Sequence, residues 1–137
     1  MKPYFFFLLL GLLSLSAHAQ LASCSAEGGG DYRCYRKQRL AISKDLQKVE
    51  SQLQKLDAQL NAKNFVSRFV AKRFKTSQQL WLKFAEADCR MESEGFLMAQ
   101  GAGATRVYEE CMAEMYDRRK TQMEKIIRGM QEERDQK

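Results

Sequence analysis

The clearest periodic pattern in the chain is an apolar seam in its first half. Its members recur at alternating steps of four and three residues, which places them on one face of a helix over several turns. The pattern predicts a helix over residues 32–61, roughly 45 Å long at about 1.5 Å per residue. The seam residues are Ile42, Leu46, Val49, Leu53, Leu56 and Leu60.

Two more helices are indicated on either side of a glycine-containing segment, residues 95–103. One is predicted over residues 65–94, and the other follows the segment with Thr105 as its N-cap. Pro3 is the only proline in the sequence, so nothing interrupts these helices. The sequence predicts an all-α fold, a three-helix antiparallel bundle. The apolar positions expected on the second and third helices are Phe65, Val66, Phe69, Val70, Phe74, Trp81, Phe84, Ala85, Val107, Tyr108, Met112, Met115, Met123, Ile126, Ile127 and Met130.

The tryptophan and the methionines among these positions each allow two interpretations. Trp81 is either a core residue or an exposed anchor for a partner, and the methionines of the third helix are either core or a soft site for copper(I). Because all of them lie at helical spacing among other apolar residues, we interpret them as core.

The N-terminal residues have the composition of a secretion signal. Lys2 precedes an apolar run over residues 4–15, and Ala17-His18-Ala19 is a small-x-small cleavage motif. The run is too short to span a bilayer, so we expect residues 1–19 to be removed and residues 20–137 to form a single domain. Loss of His18 leaves no histidine, which excludes Ser-His and Cys-His nucleophiles and histidine-ligated metals. We expect a periplasmic or secreted protein with no cofactor, no metal and no enzymatic activity.

The four cysteines, Cys24, Cys34, Cys89 and Cys111, are even in number, and export permits disulfides. Three pairings are possible. If residues 95–103 form the turn of a helical hairpin, Cys89 and Cys111 lie at the same height on its two helices, which favours Cys89–Cys111 together with Cys24–Cys34. The alternative is a lipoprotein, because residues 21–24 resemble a lipobox that would place lipid on Cys24. That alternative leaves Cys34 without a partner, so we prefer the soluble form.

Charge is distributed unevenly along the chain. Residues 33–75 contain twelve Lys or Arg and three Asp or Glu, whereas residues 84–117 contain two Lys or Arg and eight Asp or Glu. We therefore expect an acidic hairpin end and a basic bundle body, a separation that steers a charged partner. Export argues against nucleic acid as that partner.

The basic segment 64–75 has phenylalanines on one helical face and Arg68, Lys72 and Lys75 on another. Such a helix suits peripheral contact with an anionic lipid surface or lipopolysaccharide. The simpler interpretation is that its phenylalanine face packs against the first helix.

Several motifs follow one another over about residues 24–126. They are two early cysteines, Leu-x-x-Leu-Asp-x-x-Leu, Gln-x-x-Trp-Leu with a cysteine eleven after the glutamine, a glycine-containing loop, and a final cysteine with an arginine eight residues on. Their positions are Cys24, Cys34, Leu53, Leu56, Asp57, Leu60, Gln78, Trp81, Leu82, Cys89, residues 95–103, Cys111 and Arg119. Together they resemble the LprI-type lysozyme-inhibitor family, from which Ala85 departs because the family usually has arginine there. The resemblance implies an all-helical, disulfide-bonded envelope protein with lysozyme as a possible partner.

The acidic hairpin end is the candidate binding surface. Lysozymes are typically cationic, so a rigid anionic surface with an apolar centre suits docking of one. Arg119 is expected to pair with an acidic side chain on a neighbouring helix. Carboxylate pairs such as Glu110 and Glu114 are typical of a solvated face rather than of a catalytic site. The candidate binding residues are Glu92, Glu94, Glu109 and Glu110 around Phe96, Leu97 and Met98.

Overall fold

The computed structural model describes Cys24 and residues 31–62, 70–95 and 101–136 of the chain. Within these residues the backbone forms three long helices: α1 spans Tyr32–Ala62, α2 spans Val70–Gly95 and α3 spans Ala102–Asp135. The predicted all-α fold is confirmed. The expected secretion signal, residues 1–19, and residues 65–69 of the predicted second helix lie outside the described residues.

The three helices form an up-down-up bundle. α1 and α3 run in the same direction, and α2 runs opposite to both, because contacts advance together along α1 and α3 but in opposite senses along α2 and α3. The predicted antiparallel three-helix arrangement is therefore confirmed. The contacts that fix these directions are Arg36–Glu109 and Gln59–Arg134 between α1 and α3, and Gln78–Arg119 and Cys89–Cys111 between α2 and α3.

The main core is built on the predicted seam of α1. Each seam residue is at most 7% exposed, and Leu53 and Leu60 are almost completely enclosed. Full burial of one such leucine side chain stabilises the fold by about 1.5–3 kcal/mol. The methionines of α3 that join this cluster act as core residues, as predicted. The cluster comprises Leu46, Val49, Leu53, Leu56 and Leu60 from α1, Phe74 from α2, and Met123, Ile127 and Met130 from α3.

A second cluster fills the space between α2 and the first half of α3. Ala85, Cys89 and Met112 are at most 1% exposed, and Trp81 packs edge-on against Tyr116 with ring centroids 5.1 Å apart. The position where the family usually has arginine thus holds a small core residue. Trp81 is half-buried in this cluster, in agreement with its interpretation as core.

Three expectations about the helices are wrong. Phe84 and Ile126, expected on apolar inner faces, are 60% and 41% exposed, because α2 and α3 each meet the bundle along a narrower stripe than their apolar residues cover. Thr105 does not cap α3. The helix begins earlier, at Ala102, because Gly101 adopts φ 61° and turns the chain there, and the Thr105 hydroxyl donates to the Gly101 carbonyl.

Candidate binding surface

Two disulfides fasten the end of the bundle where α2 finishes and α3 starts. Cys89 and Cys111, with Cα atoms 5.5 Å apart, hold the last turns of α2 against the first turns of α3. The second disulfide joins Cys24 to Cys34, near the start of α1, with Cα atoms 5.8 Å apart. The structure therefore contains both expected disulfides, and the first of them fixes the orientation of the candidate surface.

The final turns of α2 carry an exposed acidic surface with an apolar residue at its centre. Glu92 and Glu94 are exposed, and within the described ranges neither carboxylate has a hydrogen bond or an ion pair. Met91 beside them is 67% exposed. Ser93 points inward and donates to the Arg90 carbonyl, so the glutamates on either side of it face outward. We call Met91, Glu92 and Glu94 the acidic end of α2.

Glu109 does not belong to that surface, contrary to the prediction. Its side chain is only 4% exposed and lies between two arginines of α1. Arg36 Nε donates to Oε1 and Arg39 Nε donates to Oε2, each at 2.8 Å. Burial alone would raise the pKa of Glu109, but hydrogen bonds and charge from Arg39 and Arg36 outweigh it and hold the pKa below its usual value. Glu109 therefore serves to join α1 to α3.

Glu110 is also engaged within the bundle, although less deeply. Its carboxylate accepts hydrogen bonds from the Tyr35 hydroxyl at 3.1 Å and from Arg106 Nη1 at 3.3 Å. Its side chain is 35% exposed, so a partner would meet only part of an already paired carboxylate. Burial and the bond to Glu110 both raise the pKa of the Tyr35 hydroxyl. The candidate surface is consequently reduced, on the described helices, to the acidic end of α2.

The predicted separation of an acidic hairpin end from a basic body is therefore too simple. α1 starts beside the first turns of α3, so its arginines lie at the same end of the bundle as the hairpin. Arg36 and Arg39 neutralise Glu109, while Glu110 pairs with Arg106 of α3 itself and accepts from the Tyr35 hydroxyl of α1. None of these cations pairs with Glu92 or Glu94 on the described part of α2. The remaining predicted site residues, Phe96, Leu97 and Met98, lie outside the described residues.

Arg119 is buried, but among the residues that the structure describes its hydrogen-bond partners are neutral, not the acidic side chain that we expected. Its Nε donates to Gln78 Oε1 at 3.0 Å and its Nη2 to Ser77 Oγ at 2.8 Å, both on α2. Its Nη1 donates to Gln122 Oε1 one turn along α3, and the guanidinium lies 5.6 Å from the Trp81 ring centroid. Burial lowers the pKa of Arg119. Neutral acceptors and an aromatic ring thus satisfy this cation, and it connects two helices rather than facing a partner.

In the basic half of α2, Phe74 is buried and is not available for the lipid contact that the sequence suggested. Phe74 is only 6% exposed and belongs to the main core, which confirms that this phenylalanine packs against α1. Lys72, Arg73 and Lys75 are exposed. A shallow cavity of about 520 Å³ lies beside them, lined by Lys72, Arg73, Thr76, Ser77 and Leu80.

Two general properties concern the described part of the chain as a whole. None of its helices is both long enough and apolar enough to cross a membrane. It also contains no group of three or more Cys, His, Asp or Glu side chains arranged to hold a metal ion.

The sequence-based prediction missed the exposed apolar character of α2. Leu80, Phe84, Ala87 and Met91 are all exposed, and their spacing of four, three and four residues is itself a helical stripe. That spacing was available in the sequence, but the inward residues of the same helix are also apolar. Only the packing on α1 and α3 distinguishes the two stripes.

Comparison with known proteins supports the resemblance seen in the motifs. No curated protein and no solved structure matches the chain significantly. A family model described as lysozyme inhibitor LprI matches residues 23–123, well over half of the sequence, including all four cysteines, the Gln78–Trp81 motif and Arg119. The chain therefore belongs to the LprI lysozyme-inhibitor family.

Proposed function

We propose that this protein inhibits lysozyme by docking on it through the acidic end of α2. The observation that carries the proposal is the pair of exposed carboxylates, Glu92 and Glu94, which no cation of the described bundle neutralises, around the exposed Met91. An apolar centre with a charged rim is the usual composition of a protein interface. A cationic lysozyme surface supplies the complementary charge.

The Cys89–Cys111 disulfide supports this mode of binding, because it makes the surface rigid before a partner arrives. Binding costs free energy for every side chain and segment that must be ordered. A covalent bond two residues before Met91 leaves little backbone freedom to lose at this end of α2. Membership of the family and the two disulfides are both consistent with an extracytoplasmic protein.

For the compartment, we favour cleavage of residues 1–19 and release of a soluble periplasmic or secreted protein. Cys24 bonded to Cys34 has no thiol left for a lipid thioether. Mass spectrometry of the exported protein tests this point: a chain that begins at Gln20 supports it, and a diacylglycerol adduct on Cys24 contradicts it.

Binding of lysozyme to charge-reversed variants tests the proposed surface. We expect the double change Glu92→Lys and Glu94→Lys to weaken lysozyme binding by about tenfold at low salt, with a smaller effect at high salt. Glu132→Lys is the matched control for each single change, Glu92→Lys or Glu94→Lys, because it shifts the net charge by the same amount and Glu132 is an exposed glutamate at the opposite end of α3. Equal weakening by a single change and by this control would show that net charge, and not this surface, controls binding.

A second candidate function is peripheral binding to anionic lipid or lipopolysaccharide. It is favoured by the cavity lined by Lys72, Arg73, Thr76, Ser77 and Leu80, where cations and hydroxyls adjoin an apolar side chain. The burial of Phe74 removes part of the aromatic face that this function would use. Co-sedimentation with anionic but not zwitterionic vesicles would support it, and equal absence from both pellets would exclude it.

A further inference from the structure

The outer face of α2 is an apolar stripe that the rest of the described chain leaves uncovered. Leu80, Phe84 and Met91 are 63%, 60% and 67% exposed, and Ala87 between them is exposed as well. At about 100° per residue these four lie within an arc of about 60° and extend about 16 Å along the helix. Contiguous apolar surface of this kind marks an interaction site, whereas Leu40 on α1 is exposed singly.

The spacing of the stripe is the same in both directions along α2. The steps from Leu80 to Met91 are four, three and four residues, so the stripe is symmetric about a point between residues 85 and 86. Two copies of α2 packed antiparallel about that point place Phe84 against Ala87 of the second copy, and Leu80 against its Met91. At the centre of the interface the large Phe84 thus meets the small Ala87, which allows the two helices to interdigitate there. A surface that fits its own copy under a two-fold axis is what an isologous dimer needs.

The charges of α2 favour the same antiparallel arrangement. Residues 70–84 contain four basic residues and no acidic one, and residues 85–95 contain four acidic residues and one basic one. Antiparallel packing brings each basic half onto an acidic half, whereas parallel packing opposes like charges. Arg73 then lies one turn from the position that faces Glu94 of the second copy, and Lys83 lies two residues from the position that faces its Glu86.

We propose that the protein forms an antiparallel homodimer through the outer face of α2. The proposal does not rest on lysozyme inhibition, because it follows from the shape and charge of this helix alone. The outer face of α2 and the acidic end of α2 share Met91 and adjoin at Glu94. Self-association therefore covers part of the acidic end of α2 and competes with any partner that docks there.

The mass of the oxidised, exported protein in solution tests the dimer. Sedimentation equilibrium from micromolar to millimolar concentrations is expected to show the average mass rising from one chain to two. Phe84→Ser is expected to weaken self-association by about tenfold or more. Leu40→Ser, which changes a residue 50% exposed on α1, is the matched control and is expected to have no effect. Both changes are on exposed side chains, and circular dichroism verifies that the helices persist.

Charge-reversed pairs test the antiparallel register. One variant combines Arg73→Glu with Lys83→Glu, and the other combines Glu86→Lys with Glu94→Lys. Each variant alone is expected to remain monomeric, since it opposes like charges in both pairs, and an equimolar mixture is expected to form heterodimers. A mixture that stays monomeric overturns this register.

Any one of three other results would overturn the proposed interface. These results are a wild-type protein that is monomeric at every concentration, a dimer that survives Phe84→Ser, and a dimer that Leu40→Ser dissociates as strongly as Phe84→Ser does. Loss of binding to anionic vesicles by Phe84→Ser, in a protein that is monomeric throughout, would assign this face to lipid instead.

Discussion

Arg119 of α3 donates from Nε to Oε1 of Gln78 on α2, at 3.0 Å, across the interface between the two helices. Both residues belong to the motifs that characterise the family, and Trp81, the third motif residue, lies against the same guanidinium. Residues that are 41 positions apart in the sequence thus form one contact. The Gln-x-x-Trp motif and the arginine after the last cysteine therefore stabilise the α2–α3 hairpin, and they position the candidate surface without being part of it.

Replacement of Arg119 by lysine tests this structural role. Lysine keeps the charge but cannot reach Gln78, Ser77 and Gln122 together, so we expect the free energy of unfolding to fall by about 1–3 kcal/mol. The measurement is urea denaturation followed by circular dichroism. Arg118→Lys is the control, because Arg118 is 73% exposed and pairs only at the surface with Glu114. A loss of lysozyme binding with unchanged stability would instead place Arg119 at an interface.

The ion pairs of Glu109 predict how stability depends on pH. The pKa of Glu109 in the folded protein is below its unfolded value, because Arg36 and Arg39 favour the carboxylate. Its contribution is therefore complete above the unfolded pKa and is lost as the pH falls through the folded pKa. We expect Glu109→Gln to cost about 1–3 kcal/mol near neutral pH. The difference from wild type should narrow as the pH falls below about 4.

Unfolding curves of the two proteins at several pH values provide the measurement. Glu114→Gln is the control, since Glu114 is 50% exposed and pairs with Arg118 at the surface. A stability difference for Glu109→Gln that stays constant from neutral to acid pH would show that packing, and not charge, is lost.

The Cys89–Cys111 disulfide predicts a coupling between stability and activity. It closes a loop with a sequence separation of 22 residues. In the chain-entropy model, such a loop contributes roughly 3 kcal/mol to stability. The double change Cys89→Ser and Cys111→Ala is expected to lose about that amount and to weaken lysozyme binding, because the acidic end of α2 is no longer fixed. The matched variant, Cys34→Ser with Cys24→Ala, is expected to lose stability with a smaller effect on binding.

Much of the fold could be predicted from the sequence because its signals are periodic and local. The seam from Ile42 to Leu60 specifies α1 and its buried face, and the symmetric placement of Cys89 and Cys111 about a glycine-containing segment specifies the hairpin. The start of α3 was misplaced because Thr105 is a good N-cap by residue type, while the turn depends on the positive φ of Gly101, which residue type alone does not fix.

The site was less predictable, because it depends on which charges meet in three dimensions. Glu109 has the same sequence character as Glu92 and Glu94, and the position of α1 distinguishes it from them. Glu110 differs from them by a local pair with Arg106 and by a bond from Tyr35 of α1. Arg36 and Arg39 are about 70 residues away in sequence from the carboxylate that they neutralise. Likewise, the partners of Arg119 are amide and hydroxyl groups, which carry no charge pattern that could be read in advance.

The measurement that tests the central claim most directly is inhibition of lysozyme in a cell-wall turbidity assay, with the oxidised protein added over a range of concentrations. Our account predicts inhibition that increases with dose, falls when Glu92 and Glu94 are changed to lysine, and is unaffected by Glu132→Lys. No inhibition of several lysozyme types, or equal inhibition by the wild-type protein and the Glu92→Lys and Glu94→Lys variant, would contradict it.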